Sequence, residues 1–258
     1  MKHIVTLRAE YDNGEVDEAS REVIDGVVKM ELRPLDEILD EFEIRHLWNR
    51  YIGCSEDKPY HGYEHTEFVI RTCDWLSDNI ENQFRRLHLI VAAMFHDAGH
   101  YGPDDEKNIG RAIWLVNDNC NYNQPSLSLS HLAAIILDTK HPYEAEPKTV
   151  LGMFLRDADL CQTYHWGLEE TTKRLKAEGY YEGMTEVEKL TSQSEFLEET
   201  EEWFSTMKAW CEVSLNYGNF AAQCNFDILQ IQKGILDKQK SGSGGSTPRE
   251  GDNEMSRM

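Results

Sequence analysis

The chain has 258 residues, 40% of them hydrophobic, and a formal net charge of −21. That length supports one sizeable core, and no apolar run reaches the length of a membrane span. A surface this acidic repels phosphate backbones and excludes a nucleic-acid duplex as partner, while six scattered cysteines with no Cys-x-x-Cys pair argue against a zinc ribbon or a disulfide framework.

Residues 1–30 read as a short strand-like or irregular segment, with Ile4-Val5-Thr6-Leu7 suited to a strand and Asp12-Asn13-Gly14 to a turn. The apolar part of this segment is too short and too soon acidic for a signal peptide, so the expected location is cytoplasmic. From Pro34 the pattern turns helical, and Leu35, Ile38, Leu39, Phe42, Ile44, Leu47 and Trp48 make one apolar stripe. A helix is predicted from about Tyr60 to Leu76 and another from Gln83 to His100. The second is apolar nearly all round between Leu87 and Phe95, the mark of a central buried helix.

Gly99 and Gly102 mark the end of that helix. Shorter helices follow at Asn108–Asn117, Leu129–Leu137 and Val150–Leu160, with a polar loop at 119–124 and a stop at His141-Pro142. Residues 185–239 read as an acidic helical extension. Glu195, Glu198, Glu199, Glu201 and Glu202 form its solvated face; Phe196, Trp203, Phe204, Met207 and Trp210 form its buried one. Trp114 and Trp166 are also assigned to the core. From Ser241 the composition becomes that of a linker, so 240–258 is expected to be a disordered tail. The predicted fold is therefore all-α, a single helical bundle over 31–239 whose motif-bearing region spans 47–164.

Two pairs of histidines carry the chemistry. His61/His65 and His96/His100 each stand at i,i+4, a spacing that stacks two imidazoles on one helix face. Arg156-Asp157-Ala158-Asp159-Leu160 adds carboxylates. Mixed nitrogen and oxygen donors suit one or two divalent ions, with manganese, magnesium, zinc and iron all compatible. The adjacent His96 and Asp97 point in different directions, so one can close a first site while the other reaches between two ions. His65 and Asp159 complete that first site. His100, His131 and His141, with Asp157 behind them, are candidates for direct or indirect contact with a second ion. A metal-activated hydroxide would attack phosphorus and protonated His61 would hand a proton to the leaving oxygen. Lys107, Arg111 and Lys140 are the cations nearest in sequence that could meet a substrate phosphate.

These stretches resemble the HD-domain metal-dependent phosphohydrolase superfamily, whose pattern is H…HD…D on an all-helical core. The likeness is closest to the branch that contains class I cyclic nucleotide phosphodiesterases. There Tyr-His-Asn-x-x-His precedes Ala-Ala-x-x-His-Asp-x-x-His-x-Gly-x-x-Asn; here the segments are Tyr60 to His65 and Ala92 to Gly102. The resemblance implies that His61 is the proton donor, that His65 binds metal, and that Asp159 rather than Asp157 is the last ligand. It also relates Ser130-His131-Leu132-Ala133 and Thr139-Lys140-His141 to later family elements, and Gln223 with Phe226 to the glutamine and aromatic ring that hold a purine. Gly62 stands in place of the family's asparagine and Tyr101 in place of a proline, and the interval from His131 to His141 is compressed.

The function implied is hydrolysis of a small phosphorylated substrate, with preference for a cyclic or signalling nucleotide phosphodiester. The same metal core also serves nucleotidases and dNTP triphosphohydrolases. Readings of other classes are a di-iron oxygenase and a non-catalytic nucleotide-binding protein.

Overall fold

The computed structural model of the chain describes residues 32–78, 80–120, 126–141, 147–206, 231–235 and 238, apart from the side chains of 163–165 and 201–206. The expected strand at 4–7, the turn at 12–14, the tail from 240, and Gln223 and Phe226 lie outside those residues, as do the side chains of Trp203, Phe204, Met207 and Trp210. Among the described residues no strand forms, and the fold is all-α. The helices are α1 Leu35–Glu41, α2 Arg45–Cys54, α3 Tyr63–Leu76, α4 Gln83–Phe95, α5 Asp105–Cys120, α6 Leu129–Leu137, α7 Val150–Trp166, α8 Leu168–Ala177 and α9 Glu186–Thr206. None is long and apolar enough to cross a membrane.

The all-round apolar run becomes the central helix. Every residue from Leu89 to Phe95 is fully buried, and α4 packs against α3, α5, α6 and α7. Asn82 starts it by accepting a hydrogen bond from the Arg85 backbone N–H at 3.1 Å. α3 packs against both α4 and α7, so the helices carrying His65, His96 and Asp159 are mutual neighbours.

Local chemistry moves several predicted boundaries. The stripe from Leu35 to Trp48 is split into two helices, because Phe42 and Glu43 make a turn with Glu43 at φ 56°. Arg45 bridges the break through Asp36 and Asp40. α5 is longer than expected, and Asp104 caps its first turn from the Lys107 N–H. α7 runs past Leu160 to Trp166 and stops at Gly167, where φ is 77°. α8 follows at once and packs on α7, a helix that the sequence reading did not identify.

Candidate metal centre and active site

The donors meet where α3, α7 and the end of α4 converge. α4 stops at Phe95, and residues 96–99 form a turn that delivers His96 and Asp97 into the interior. Gly99 closes that turn at φ 69°, and a Cβ there would lie 2.7 Å from the Arg111 side chain. His65 comes from the first turn of α3 and Asp159 from α7.

Neither histidine pair is stacked on a helix face. Gly62 is the residue before α3, which leaves His61 outside it, and His100 lies beyond α4. The first pair straddles the start of α3 and the second lies wholly beyond the end of α4, and backbone outside the helix does not follow its 3.6-residue repeat.

Nε2 of His65 is 3.2 Å from Nε2 of His96, 3.2 Å from Asp97 Oδ2 and 3.2 Å from Asp159 Oδ1. His96 Nε2 is 3.2 Å from Asp97 Oδ2 and 3.8 Å from Asp159 Oδ1. Ligands held about 2.0–2.2 Å from one ion stand roughly 3–3.6 Å apart, so the four donor atoms fit a single divalent cation. His96 Nδ1 donates to the Ala93 carbonyl at 2.8 Å, which leaves the Nε2 lone pair aimed at the cluster. Two imidazole nitrogens facing each other between two carboxylates sit where positive charge is favoured, as protons or as a metal.

The electrostatics agree. Burial would strip the protons from His65 and His96, but Asp159 and Asp97 outweigh it and hold both above the ordinary imidazole range, His96 well above. Burial likewise opposes the charge on Asp97. His96 and His61 beside it hold it well below the usual carboxylate range, and His65 and His96 lower Asp159.

His61 sits beside this cluster, held by a residue remote in sequence. Glu178, at the end of α8, accepts from the backbone N–H of Tyr60 at 2.5 Å and of His61 at 2.8 Å, and pairs with His61 Nδ1 at 2.6 Å. Arg174 on α8 reaches the Pro59 carbonyl and Glu64 and lies 3.8 Å over the Trp166 ring, clamping the same segment. Burial lowers the His61 pKa, with Asp97 and Glu178 pulling the other way.

Gly62 answers to space. A Cβ on it would lie 2.1 Å from the Lys58 carbonyl oxygen and 2.6 Å from Asp57 Oδ1, the atom that accepts from the Tyr63 N–H at 2.9 Å. Asp57 thus caps α3 from the place a side chain at 62 would take. Restoring the family residue with Gly62→Asn is expected to lower stability by about 1–3 kcal/mol, the usual cost of overpacking. Thermal denaturation would show it, and an unchanged melting temperature would refute the steric account.

These groups open on a cavity of about 320 Å³. Among its described lining are five carboxylates (Asp97, Asp105, Asp159, Glu195, Glu199), three histidines (His61, His100, His141), and no lysine or arginine. Glu195 and Glu199, expected on a solvated face, do remain in contact with solvent, and both also line this cavity, where His141 Nε2 pairs with Glu199 at 2.9 Å.

The remaining expected site residues disperse. His131 lies at the start of α6 and packs on His88 with ring centres 5.1 Å apart, while Thr139 and His141, which line the cavity, follow the other end of that helix. Asp157 is buried but stands outside the donor cluster, two residues before Asp159 and hence on another side of α7. Lys107 projects into solvent and pairs with Asp104, Lys140 pairs with Glu106, and Arg111 donates to the Gly99 carbonyl at 3.0 Å from a separate groove. Trp114, expected in the core, is 62% exposed.

Sequence reading missed Glu178, Tyr180 and Asp105. Asp105 had a signal, since it occupies the position of the asparagine that closes the His-x-Gly-x-x-Asn pattern. Glu178 and Tyr180 had none, because nothing in their local sequence ties them to His61 or His100.

A family model described as the HD domain matches residues 62–164. No curated protein is similar in sequence. Among solved structures, the phosphodiesterase domain of Salpingoeca rosetta rhodopsin phosphodiesterase shares the fold with a TM-score of 0.58 and 12% identity, over 81% of this chain and 86% of that one.

Proposed function

Residues 62–164 form an HD domain, and from that premise we propose that the protein is a metal-dependent phosphohydrolase that cleaves a cyclic or signalling nucleotide phosphodiester to a monophosphate. The observation that carries the reading is the convergence of His65, His96, Asp97 and Asp159 on one point, with Asp97 and Asp159 reaching the same cavity as His61, the partner of Glu178.

A divalent ion held by His65, His96, Asp97 and Asp159 would supply Lewis-acid polarisation of the phosphoryl group and a hydroxide nucleophile at neutral pH. The chain's own residues do the rest. Glu178 holds the His61 Nδ1 proton, so the proton destined for the leaving oxygen is carried on Nε2. Tyr60, Leu160, Leu175 and Phe196 supply apolar wall for the organic part of the substrate.

Charge favours the phosphodiester over the triphosphate reading. A triphosphate or guanosine tetraphosphate carries several negative charges, whereas the described lining offers five carboxylates and neither lysine nor arginine. A cyclic phosphodiester carries a single negative charge. The test is a hydrolysis panel with manganese present: cyclic nucleotides, dNTPs, dNMPs and guanosine tetraphosphate. Turnover of the cyclic esters is expected. Turnover confined to dNTPs or dNMPs would overturn the reading, and bound iron with a visible absorption band would favour the oxygenase.

The site also predicts coupling between protons and metal. Asp97 and Asp159 hold His65 and His96 above their ordinary pKa of about 6.5. Those protons must leave before the same nitrogens can ligate, so metal affinity rises with pH through and beyond that value. Calorimetry at pH 6 in buffers of different ionisation enthalpy should show about one or more protons released per ion bound. The linked effect on stability has a definite sign. With folded pKa values raised, the pairing stabilises fully below about 6.5 and is lost as pH climbs through the folded values. The metal-free protein is therefore expected to melt lower at pH 9 than at pH 6, and no proton release with a flat melting profile would contradict both statements.

A further inference from the structure

We propose that a second groove, with walls of its own, binds a small ligand in which an aromatic ring carries a phosphate, the chemical class of a nucleoside monophosphate. The groove has a volume of about 310 Å³, within the roughly 300–1,000 Å³ typical of small-molecule sites. It lies between the end of α2, the turn at 96–99 and one face of α5, and its described lining shares only His100 with that of the catalytic cavity. The proposal goes beyond the phosphodiesterase reading and does not depend on it.

The first observation is charge. In a chain of net charge −21, the described lining of this groove holds Lys58 and Arg111 against one carboxylate, Glu56. Glu56 offsets little: its side chain is 87% exposed and its oxygen stands 3.9 Å from Lys58 Nζ. Arg111 pairs with no carboxylate among the described residues. Its Nη1 donates to the Gly99 carbonyl at 3.0 Å, and its stem packs where a Cβ on Gly99 would stand. Those contacts fix the side chain without neutralising it, and the other guanidinium N–H groups meet no acceptor among the described residues. A planar fork held in this way suits a two-pronged grip on phosphate.

The second observation is aromatic. Tyr101 and Trp114, 74% and 62% exposed, are the two most exposed large apolar side chains among the described residues, and both line this one groove. Single exposed apolar residues are ordinary; two aromatic rings sharing a concave site with two cations are not. Arg111, Trp114 and Leu115 stand at i, i+3 and i+4, which puts guanidinium, indole and a buried leucine on one face of α5. Lys58 Nζ lies 5.4 Å over the Tyr101 ring, a cation held beside a stacking surface. Indole and phenol faces stack on a planar base while the cations take its phosphate. The acidity of the whole chain repels a nucleic-acid strand, whereas a small anion answers to the local field of the groove.

The test reads binding and needs no turnover, so it stands whether or not the protein is a phosphodiesterase. The full chain in EDTA, titrated with AMP in a calorimeter, is expected to bind it. Trp114→Ala and Arg111→Gln are each expected to weaken that binding about 10-fold or more, the scale lost with a stacked base or a charge-assisted hydrogen bond. Trp114→Phe keeps a stacking face and should retain most of the affinity. Adenosine and inorganic phosphate each offer only part of the contacts and should bind at least about 10-fold more weakly than AMP. Trp114 is exposed, so its variants should melt with the unaltered protein.

Failure of the unaltered protein to bind AMP would overturn the proposal. So would an affinity unchanged in Trp114→Ala or in Arg111→Gln, which would place the nucleotide elsewhere, or an affinity for phosphate alone equal to that for AMP. A dimer in sedimentation that Trp114→Ala dissociates, with no AMP bound, would give the groove to a second copy of the chain instead.

Discussion

Replacing Asp97 with asparagine is expected to remove bound metal and turnover together. Oδ2 of Asp97 stands 3.2 Å from Nε2 of both His65 and His96, and Oδ1 faces His100 at 3.6 Å, so one carboxylate touches every imidazole of the inner cluster. The amide keeps the shape and removes the charge. Altering groups that merely orient ligands costs about 10–100-fold in metal affinity, so a ligand that is also half the site's negative charge should cost more than about 100-fold. The loss in turnover is expected to reach about 10³-fold or more, the scale of several kcal/mol of transition-state charge stabilisation.

The fold should survive the change. Without the charge of Asp97, His65 and His96 lose a main reason to stay protonated and can remain buried as neutral rings. Elemental analysis, circular dichroism and the hydrolysis panel on one preparation would check this. A folded Asp97→Asn protein that retains a full equivalent of metal and normal turnover would refute the assignment of the centre.

The second large effect is expected at Glu178, which no local pattern marks. It accepts three hydrogen bonds from Tyr60 and His61 and its side chain is 5% exposed. Glu178→Gln keeps the size but places an amide donor opposite His61 Nδ1 and inverts the preferred tautomer. The charge of Glu178 is also among the influences that raise the His61 pKa against burial. Its removal lowers that pKa, so the limb of the rate profile that requires protonated His61 moves to lower pH. The drop at neutral pH is expected to be about 10²–10⁴-fold on an alkyl phosphodiester, as for other losses of an oriented general acid or base. Metal content should be unchanged. Loss of metal, or an equal drop on a nitrophenyl ester, would mean that Glu178 supports the cluster rather than the acid.

The unequal legibility of these two residues has a physical origin. Asp97 belongs to a run in which a fully apolar helix is followed at once by His-Asp, and burying ionisable groups there is costly unless they share a purpose. Glu178 acts across the fold, on a segment more than a hundred residues earlier, through a helix whose outer face is ordinary solvated charge. The same difference separates Asp159, signalled by its place at the end of an apolar run, from Glu195 and Glu199. Those two are solvent-facing charges, as expected, and nothing local shows that they also line the cavity.

Some errors came from carrying helical geometry past the ends of helices. The i,i+4 spacing of His61/His65 and His96/His100 suggested stacked pairs on single faces. α3 begins only after Gly62, between His61 and His65, and α4 ends at Phe95, before His96 and His100; the ring that His61 stacks on is His100. Lys107, Arg111 and Lys140 are near the metal turn in sequence, but each finds a partner away from the cavity.

What the sequence determined by itself is the all-helical architecture, the central position of the helix that ends at Phe95, and the identity of the donors His65, His96, Asp97 and Asp159. Each is written in short-range hydrophobic periodicity and residue chemistry. Only the tertiary structure decided the pairing of His61 with Glu178, the contacts around His100, the absence of lysine and arginine from the described lining of the cavity and the dispersal of His131 and the nearby lysines. Those depend on which distant side chains packing brings within hydrogen-bond reach, and the local pattern of a chain does not encode that distance.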